Sequence, residues 1–162
     1  MLKERRRSDG ELPRGKLVLD TSVIVELLLS TIRGNVIKRM IQDGEIIPYV
    51  THITLAEALY VLCRHIGWRT ASEKVTSLVR SGYFIVEDVG RIFELSAKYK
   101  CERKVSLADC FTLGLAKYVS APALFAVREK ELADENEKRP FDVQILFLED
   151  LLNSVQRTAN VD

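Results

Sequence analysis

The chain reads as an α/β domain built on a parallel sheet, and three observations say so. Short apolar runs rich in Val, Ile and Leu recur along it, and Lys16–Asp20 is unbroken enough for a central parallel strand. Between these runs lie stretches with apolar residues at helical spacing, as in Ile32, Val36, Ile37, Met40 and Ile41. The two kinds of segment alternate, which places helices on both faces of one sheet. A length of 162 residues suits one domain and is short for two.

In chain order, residues 1–15 are polar and basic, contain Gly10, Pro13 and Gly15, and are expected to form a flexible arm. The single domain is expected over 16–156, with 157–162 as a tail. Lys16–Asp20 is the first strand. Ser22–Leu29 fits strand or helix by content, because Val23, Ile24 and Val25 are β-branched. Helix is preferred: Asp20, Thr21 and Ser22 offer N-cap chemistry, and the chain has to leave the sheet. Thr31–Asp43 continues as helix until Gly44 stops it. Ile46–Val50 is the second strand. Helices are expected over Thr54–His65, ending near Gly67, and over Thr70–Arg80, closed by Gly82. Tyr83–Val86 is the third strand, Val89–Cys101 is helical, and Ser106–Val119 is a further helix before the Ala121-Pro122 break. Ala123–Val127 is the fourth strand. The charged Arg128–Arg139 segment reads as a loop with a helical turn. Val143–Leu148 is the fifth strand, and Glu149 and Asp150 open a last short helix.

Apolar residues make up 47% of the chain, which excludes disorder for most of it. The net charge of +1 neither demands nor excludes a nucleic-acid partner, but its distribution is uneven. Lys3, Arg5, Arg6, Arg7, Arg14 and Lys16 crowd the start, and Lys98, Lys100, Arg103 and Lys104 precede Asp109. Cys63, Cys101 and Cys110 are odd in number with no CxxC spacing, so neither a disulfide framework nor a zinc site is indicated. A reducing compartment follows. No uncharged apolar run approaches the ~18 residues of a membrane span, and no apolar segment follows the basic start as in a signal peptide. The expectation is a cytoplasmic protein without a membrane partner.

Three acids stand out. Asp20 closes the first strand, Glu57 lies in Thr54-Leu-Ala-Glu57, and Asp109 lies in Ser106-Leu-Ala-Asp109. Strand ends and first helical turns are where a doubly wound sheet puts its working residues. Carboxylates that converge without compensating bases repel one another, and a divalent cation relieves this. Each acid also has a structural explanation. Thr54-x-x-Glu57 and Ser106-x-x-Asp109 fit a helix capping box, as does Thr70-x-x-Glu73, and Asp20 is placed to cap the next helix. Context favours a site: Thr21 and Ser22 supply hydroxyls beside Asp20, and Leu107, Ala108, Cys110 and Phe111 surround Asp109 with apolar groups. A fourth acid follows the fourth strand, as Glu129 or Glu131. His52 and His65 join no ligand set, and Trp68 reads as a packing anchor between helices.

These motifs resemble the PIN-domain nucleases, and within them the VapC-type toxin ribonucleases, over roughly Leu17 to Leu148. Leu17-Val-Leu-Asp-Thr-Ser22 is similar to the family's opening strand and Asp-x-Ser motif. Thr54-Leu-Ala-Glu57 resembles the second motif, and Ser106-Leu-Ala-Asp109 with Ala116 the third. The fourth usually reads Thr-x-Asp; here Val127-Arg128-Glu129 stands in its place, keeping an acid and losing the threonine, with Glu129 preferred over Glu131. The resemblance implies a three-layer α/β/α sandwich with a mostly parallel five-stranded sheet. It also implies endonucleolytic RNA cleavage dependent on Mg²⁺ or Mn²⁺, a homodimer, and, for a toxin, an antitoxin protein covering the acidic pocket. Asp20 and Asp109 would be direct metal ligands. Glu57 and Glu129 would bind a second ion or orient ligands and water, with Ser22 supporting the site from behind. Arg103, Lys104, Arg128 and Lys130 are the candidate RNA-binding residues. Two alternatives stand beside this reading. One is a catalytically degenerate PIN-fold RNA-binding or scaffold module. The other is a phosphatase of the haloacid-dehalogenase type, disfavoured because Ser22 occupies the position of its second Asp. A dinucleotide-binding domain is disfavoured because no Gly-rich turn follows the first strand.

Overall fold

The computed structural model describes residues 12–159. The expected basic arm thus lies largely outside the described residues. Leu12 already packs against the core, and Gly15 begins the first strand.

Five parallel strands form one sheet: β1 (Gly15–Leu19), β2 (Ile46–Thr51), β3 (Ile85–Glu87), β4 (Ala123–Phe125) and β5 (Ile145–Phe147), in the order β3-β2-β1-β4-β5. Between β1 and β2 run α1 (Thr21–Leu28) and α2 (Ile32–Gln42); between β2 and β3 run α3 (His52–Ile66) and α4 (Trp68–Arg80). A 3-10 turn (Val89–Arg91), α5 (Phe93–Glu102) and α6 (Leu107–Val119) lead to β4. Next, α7 (Lys130–Lys138) lies before β5, and α8 (Leu148–Ala159) follows it. This is the expected α/β/α sandwich. The period-two geometry of β1 divides its core. Leu17 and Leu19 join α1–α4 on one face, and Val18 joins Phe125, Cys110 and Leu113 on the other.

Five local expectations need correction. The helix expected from Thr54 starts at His52, because Thr51 at the end of β2 accepts the Thr54 N–H (3.1 Å) and caps it directly. The helix expected from Thr70 starts at Trp68, because Gly67, at φ 79°, turns the chain straight into it without a side-chain cap. Trp68 is therefore no packing anchor; it is 62% exposed. The segment read as a loop after β4 forms α7, anchored by the buried Leu132 and Ala133. At the C-terminus α8 continues to Ala159, into the stretch expected to be a tail.

Candidate active site

The strand order reverses direction at β1. The chain moves outward through β2 and β3, then returns to lay β4 on the other side. Such a switch point opens a crevice beyond the carboxyl ends of the strands. Asp20 follows β1 there, and the Ala126–Glu129 segment follows β4.

Asp20 is 3% exposed and held from three directions. Its Oδ2 accepts from the Ser22 backbone N–H (2.9 Å) and from Ser22 Oγ (2.8 Å). Its Oδ1 accepts from Thr112 Oγ1 on α6 (3.3 Å). The Ser22 hydroxyl accepts in turn from the Ala126 N–H (2.9 Å), so it ties the ends of β1 and β4 together behind the carboxylate. Asp20 is thus the N-cap of α1. Burial nevertheless pushes its carboxyl up to about 6, with the Asp109 charge adding to the rise and the Ser22 bonds opposing it.

Glu57 sits in the second turn of α3, because the helix begins earlier than Thr54 suggests. Its capping-box explanation therefore fails. Thr21 Oγ1 donates to Glu57 Oε2 (2.6 Å), a short charge-assisted bond, and the Tyr60 hydroxyl approaches Oε1 at 3.5 Å. Asp109 does form the capping box with Ser106: it accepts from the Ser106 N–H (3.3 Å), and its own N–H donates to Ser106 Oγ (3.0 Å). It is also 8% exposed, and burial raises its carboxyl against the Ser106 bonds, with the charges of Glu57 and Glu131 adding. The structural and the electrostatic description both hold for this residue. Glu73, the comparison case, caps nothing and pairs with Arg69 on the surface (3.2 Å).

Glu129 occupies the N-cap position of α7 without a capping bond. Its carboxyl is pushed up to about 7, by desolvation first and then by Asp109, Asp20, Glu57 and Glu131. Glu129 is exposed, so solvent screens part of this effect. The action of Asp109, Asp20, Glu57 and Glu131 places these four acids within electrostatic reach of Glu129. Glu131, in the first turn of α7, lines a cleft with Lys104, Ser106, Asp134 and Lys138.

The basic candidates divide. Arg103 is buried, lies over the Phe141 ring (4.2 Å), and donates to the carbonyls of Arg139 and Pro140. It clamps the α5–α6 turn onto the segment after α7 and is not available to grip RNA. Arg128 is half engaged, pairing with Asp150 (2.8 Å) over the Phe147 ring. Lys104 and Lys130 are exposed. Two residues escaped the sequence reading. Thr112 stands three positions after Asp109 and Tyr60 three after Glu57, the spacing that puts side chains on one helical face, and that spacing was the available signal.

The donor set is all oxygen, from carboxylates whose charged forms are mutually disfavoured, which suits a hard divalent cation in kind. Among the described residues no three of them are grouped closely enough to share one ion; Asp20, Glu57 and Asp109 are each held by their own hydroxyl or backbone partners.

Fold and site together define a parallel α/β protein with a carboxylate cluster at the sheet's switch point. The PIN domain family model matches residues 17–145, and the chain belongs to that family. The solved structures it resembles include VapC20 of Mycobacterium tuberculosis, a toxin that cleaves the sarcin-ricin loop. The likeness is 20% identity, a TM-score of 0.56, and 66% of this chain against 86% of that one. Another is VapBC2 of Rickettsia felis bound to a promoter DNA fragment (12% identity, TM-score 0.56, 80% and 96% covered). A third is FitAcB of Neisseria gonorrhoeae (18% identity, TM-score 0.52, 82% and 98% covered). At these identities the likeness is one of fold. A comparison with curated protein sequences finds no match.

Proposed function

We propose that this protein is a divalent-metal-dependent endoribonuclease. Asp20 and Asp109 would hold Mg²⁺ or Mn²⁺, and Glu57 and Glu129 would hold a second ion or orient ligands and water. The observation that carries this reading is that acids from distant segments meet beyond the ends of β1 and β4, where neighbouring carboxylate charge adds to the rise of the Asp20, Asp109 and Glu129 carboxyls. A bound divalent cation lowers the pKa of water and offsets charge on the phosphodiester in the transition state. The chain's own groups do the positioning. Ser22 and Thr112 hold both oxygens of Asp20, and Thr21 holds one of Glu57, whose other oxygen lies 3.5 Å from the Tyr60 hydroxyl. Glu129, whose carboxyl the neighbouring acidic charges raise, is suited to hold a proton released from water.

The likeness to VapC-type structures leads us to propose further that the protein is the toxin of a toxin–antitoxin pair. Its partners would be an antitoxin protein over the acidic crevice and a second copy of itself. Among the described residues no helix is long and apolar enough to cross a membrane. A second reading, an RNA-binding module without catalysis, is favoured by the spacing of the acids, too wide for one ion as they stand.

Incubating the purified protein with RNA in Mg²⁺, in Mn²⁺ and in EDTA separates these readings. Cleavage with either ion and none in EDTA is expected, with small phosphomonoesters untouched; cleavage in chelator would defeat the metal. Glu129→Gln should reduce the rate far more than Glu131→Gln. The reverse ranking would move the fourth acid to α7.

A further inference from the structure

We propose that the exposed face of α3 carrying Tyr60 and Arg64 is a docking strip for a single RNA strand beside the acidic crevice, an inference that rests on the endoribonuclease reading. The crevice is crowded with carboxylates, so a polyanionic strand needs cations at its rim. Most nearby basic groups are committed elsewhere: Arg103 to backbone carbonyls, Arg128 to Asp150, and Lys100 to the Val105 carbonyl (2.7 Å). Arg64 has no carboxylate partner among the described residues. Its guanidinium lies 5.1 Å from the centre of the Tyr60 ring, stacked rather than free.

Position then links the pair to the site. Glu57, Tyr60 and Arg64 follow an i, i+3, i+7 spacing, so they share one stripe of α3. The Tyr60 hydroxyl is 3.5 Å from Glu57 Oε1, which sets the ring at the edge of the crevice, and Tyr60 is 47% exposed. From Glu57 to Arg64 the stripe runs about 10 Å along the helix, at the usual rise per residue. Acid, aromatic face and cation therefore succeed one another outward from the proposed reaction centre. A strand whose scissile phosphate sits at the acids would lay an unpaired base on the Tyr60–Arg64 stack and a neighbouring phosphate beside the guanidinium. Stacking on aromatic rings and guanidinium planes is how proteins hold unpaired bases.

The test measures binding of a short fluorescein-labelled single-stranded RNA by anisotropy in Ca²⁺, together with steady-state cleavage in Mn²⁺. Tyr60→Ala is expected to weaken binding roughly tenfold and to raise KM with little change in kcat. Tyr60→Phe, which keeps the ring and loses the hydroxyl, should bind like wild type. Arg64→Ala should weaken binding and lower the slope of log affinity on log salt by about 1. All three variants should keep the wild-type rise in melting temperature on adding Mn²⁺. Wild-type affinity and salt slope in Tyr60→Ala and Arg64→Ala would overturn the strip and leave the nuclease reading standing. A Tyr60→Ala protein that loses its Mn²⁺ response would also overturn it, since the tyrosine would then act through Glu57. A wild type that neither binds nor cleaves RNA would overturn both.

Discussion

Asp109 carries opposed contributions within one side chain. As the third residue of α6 it completes a capping box, and its negative charge is favourable at a helix N-terminus by about 0.3–1 kcal/mol. Yet its carboxyl is raised despite the Ser106 bonds, so in this fold the charged form is held at a net disadvantage by burial and by Glu57 and Glu131. Asparagine keeps an oxygen for the Ser106 N–H and removes the charge. Asp109→Asn should therefore raise the melting temperature in EDTA and lose most of the stabilisation that Mn²⁺ gives by binding the folded state. Glu73→Gln, on an exposed ion pair worth at most about 1 kcal/mol, should move neither reading. An Asp109→Asn protein that melts lower in EDTA and still responds to Mn²⁺ would make the residue a cap alone.

At the scale of elements, what positions α6 matters most, because it carries both Asp109 and Thr112. Helix α6 packs on α5 through Gly114, where an added Cβ would stand 2.4 Å from Ser96 Oγ and 3.2 Å from the Ser96 backbone nitrogen. Ser96 is buried and its hydroxyl is bonded to the Ile92 carbonyl (2.9 Å), so it has little room to yield. Gly114→Ala should cost about 1–3 kcal/mol, read as a lower denaturation midpoint, and should weaken the Mn²⁺ response as α6 shifts. Unchanged stability would mean that the two helices are less tightly docked. The same scale shows where the sequence was legible. Ser106-x-x-Asp109 announced its own cap, and Asp20-Thr21-Ser22 announced the end of β1. Thr54-x-x-Glu57 matched the capping pattern equally well, but β2 passes into α3 without a loop, and Thr51 takes the cap first. A short pattern cannot tell two eligible threonines apart. Helix α7 was missed because Leu132 and Ala133 are its only buried residues, too few to mark a period against so many charges.

For the whole molecule, Glu129 reaches the other acids only because β4 returns to the far side of β1, and sequence order does not reveal that neighbour. The acids could be named from the chain; their shared electrostatics needed the topology. Those electrostatics make a pH prediction. The carboxyls of Asp20 and Glu129 rise from 3.8 and 4.5 to about 6 and about 7. Between the unfolded and folded values the native state binds more protons than the unfolded one, so these groups take stability away as pH rises. In EDTA, their contribution should be fully present below about pH 3.8, fall as pH rises through about 6 and about 7, and level off above the higher value. Melting curves across that range should show a smaller fall in Asp20→Asn than in wild type. An equal fall would remove Asp20 from the strained cluster. The central claim is that these carboxylates together hold a divalent cation, and calorimetric titration of Mn²⁺ into wild type and Asp20→Asn tests it most directly. Saturable binding by wild type, weakened by at least about tenfold in the variant, is the predicted result. Equal affinity in the two proteins, or no binding by wild type, would contradict it.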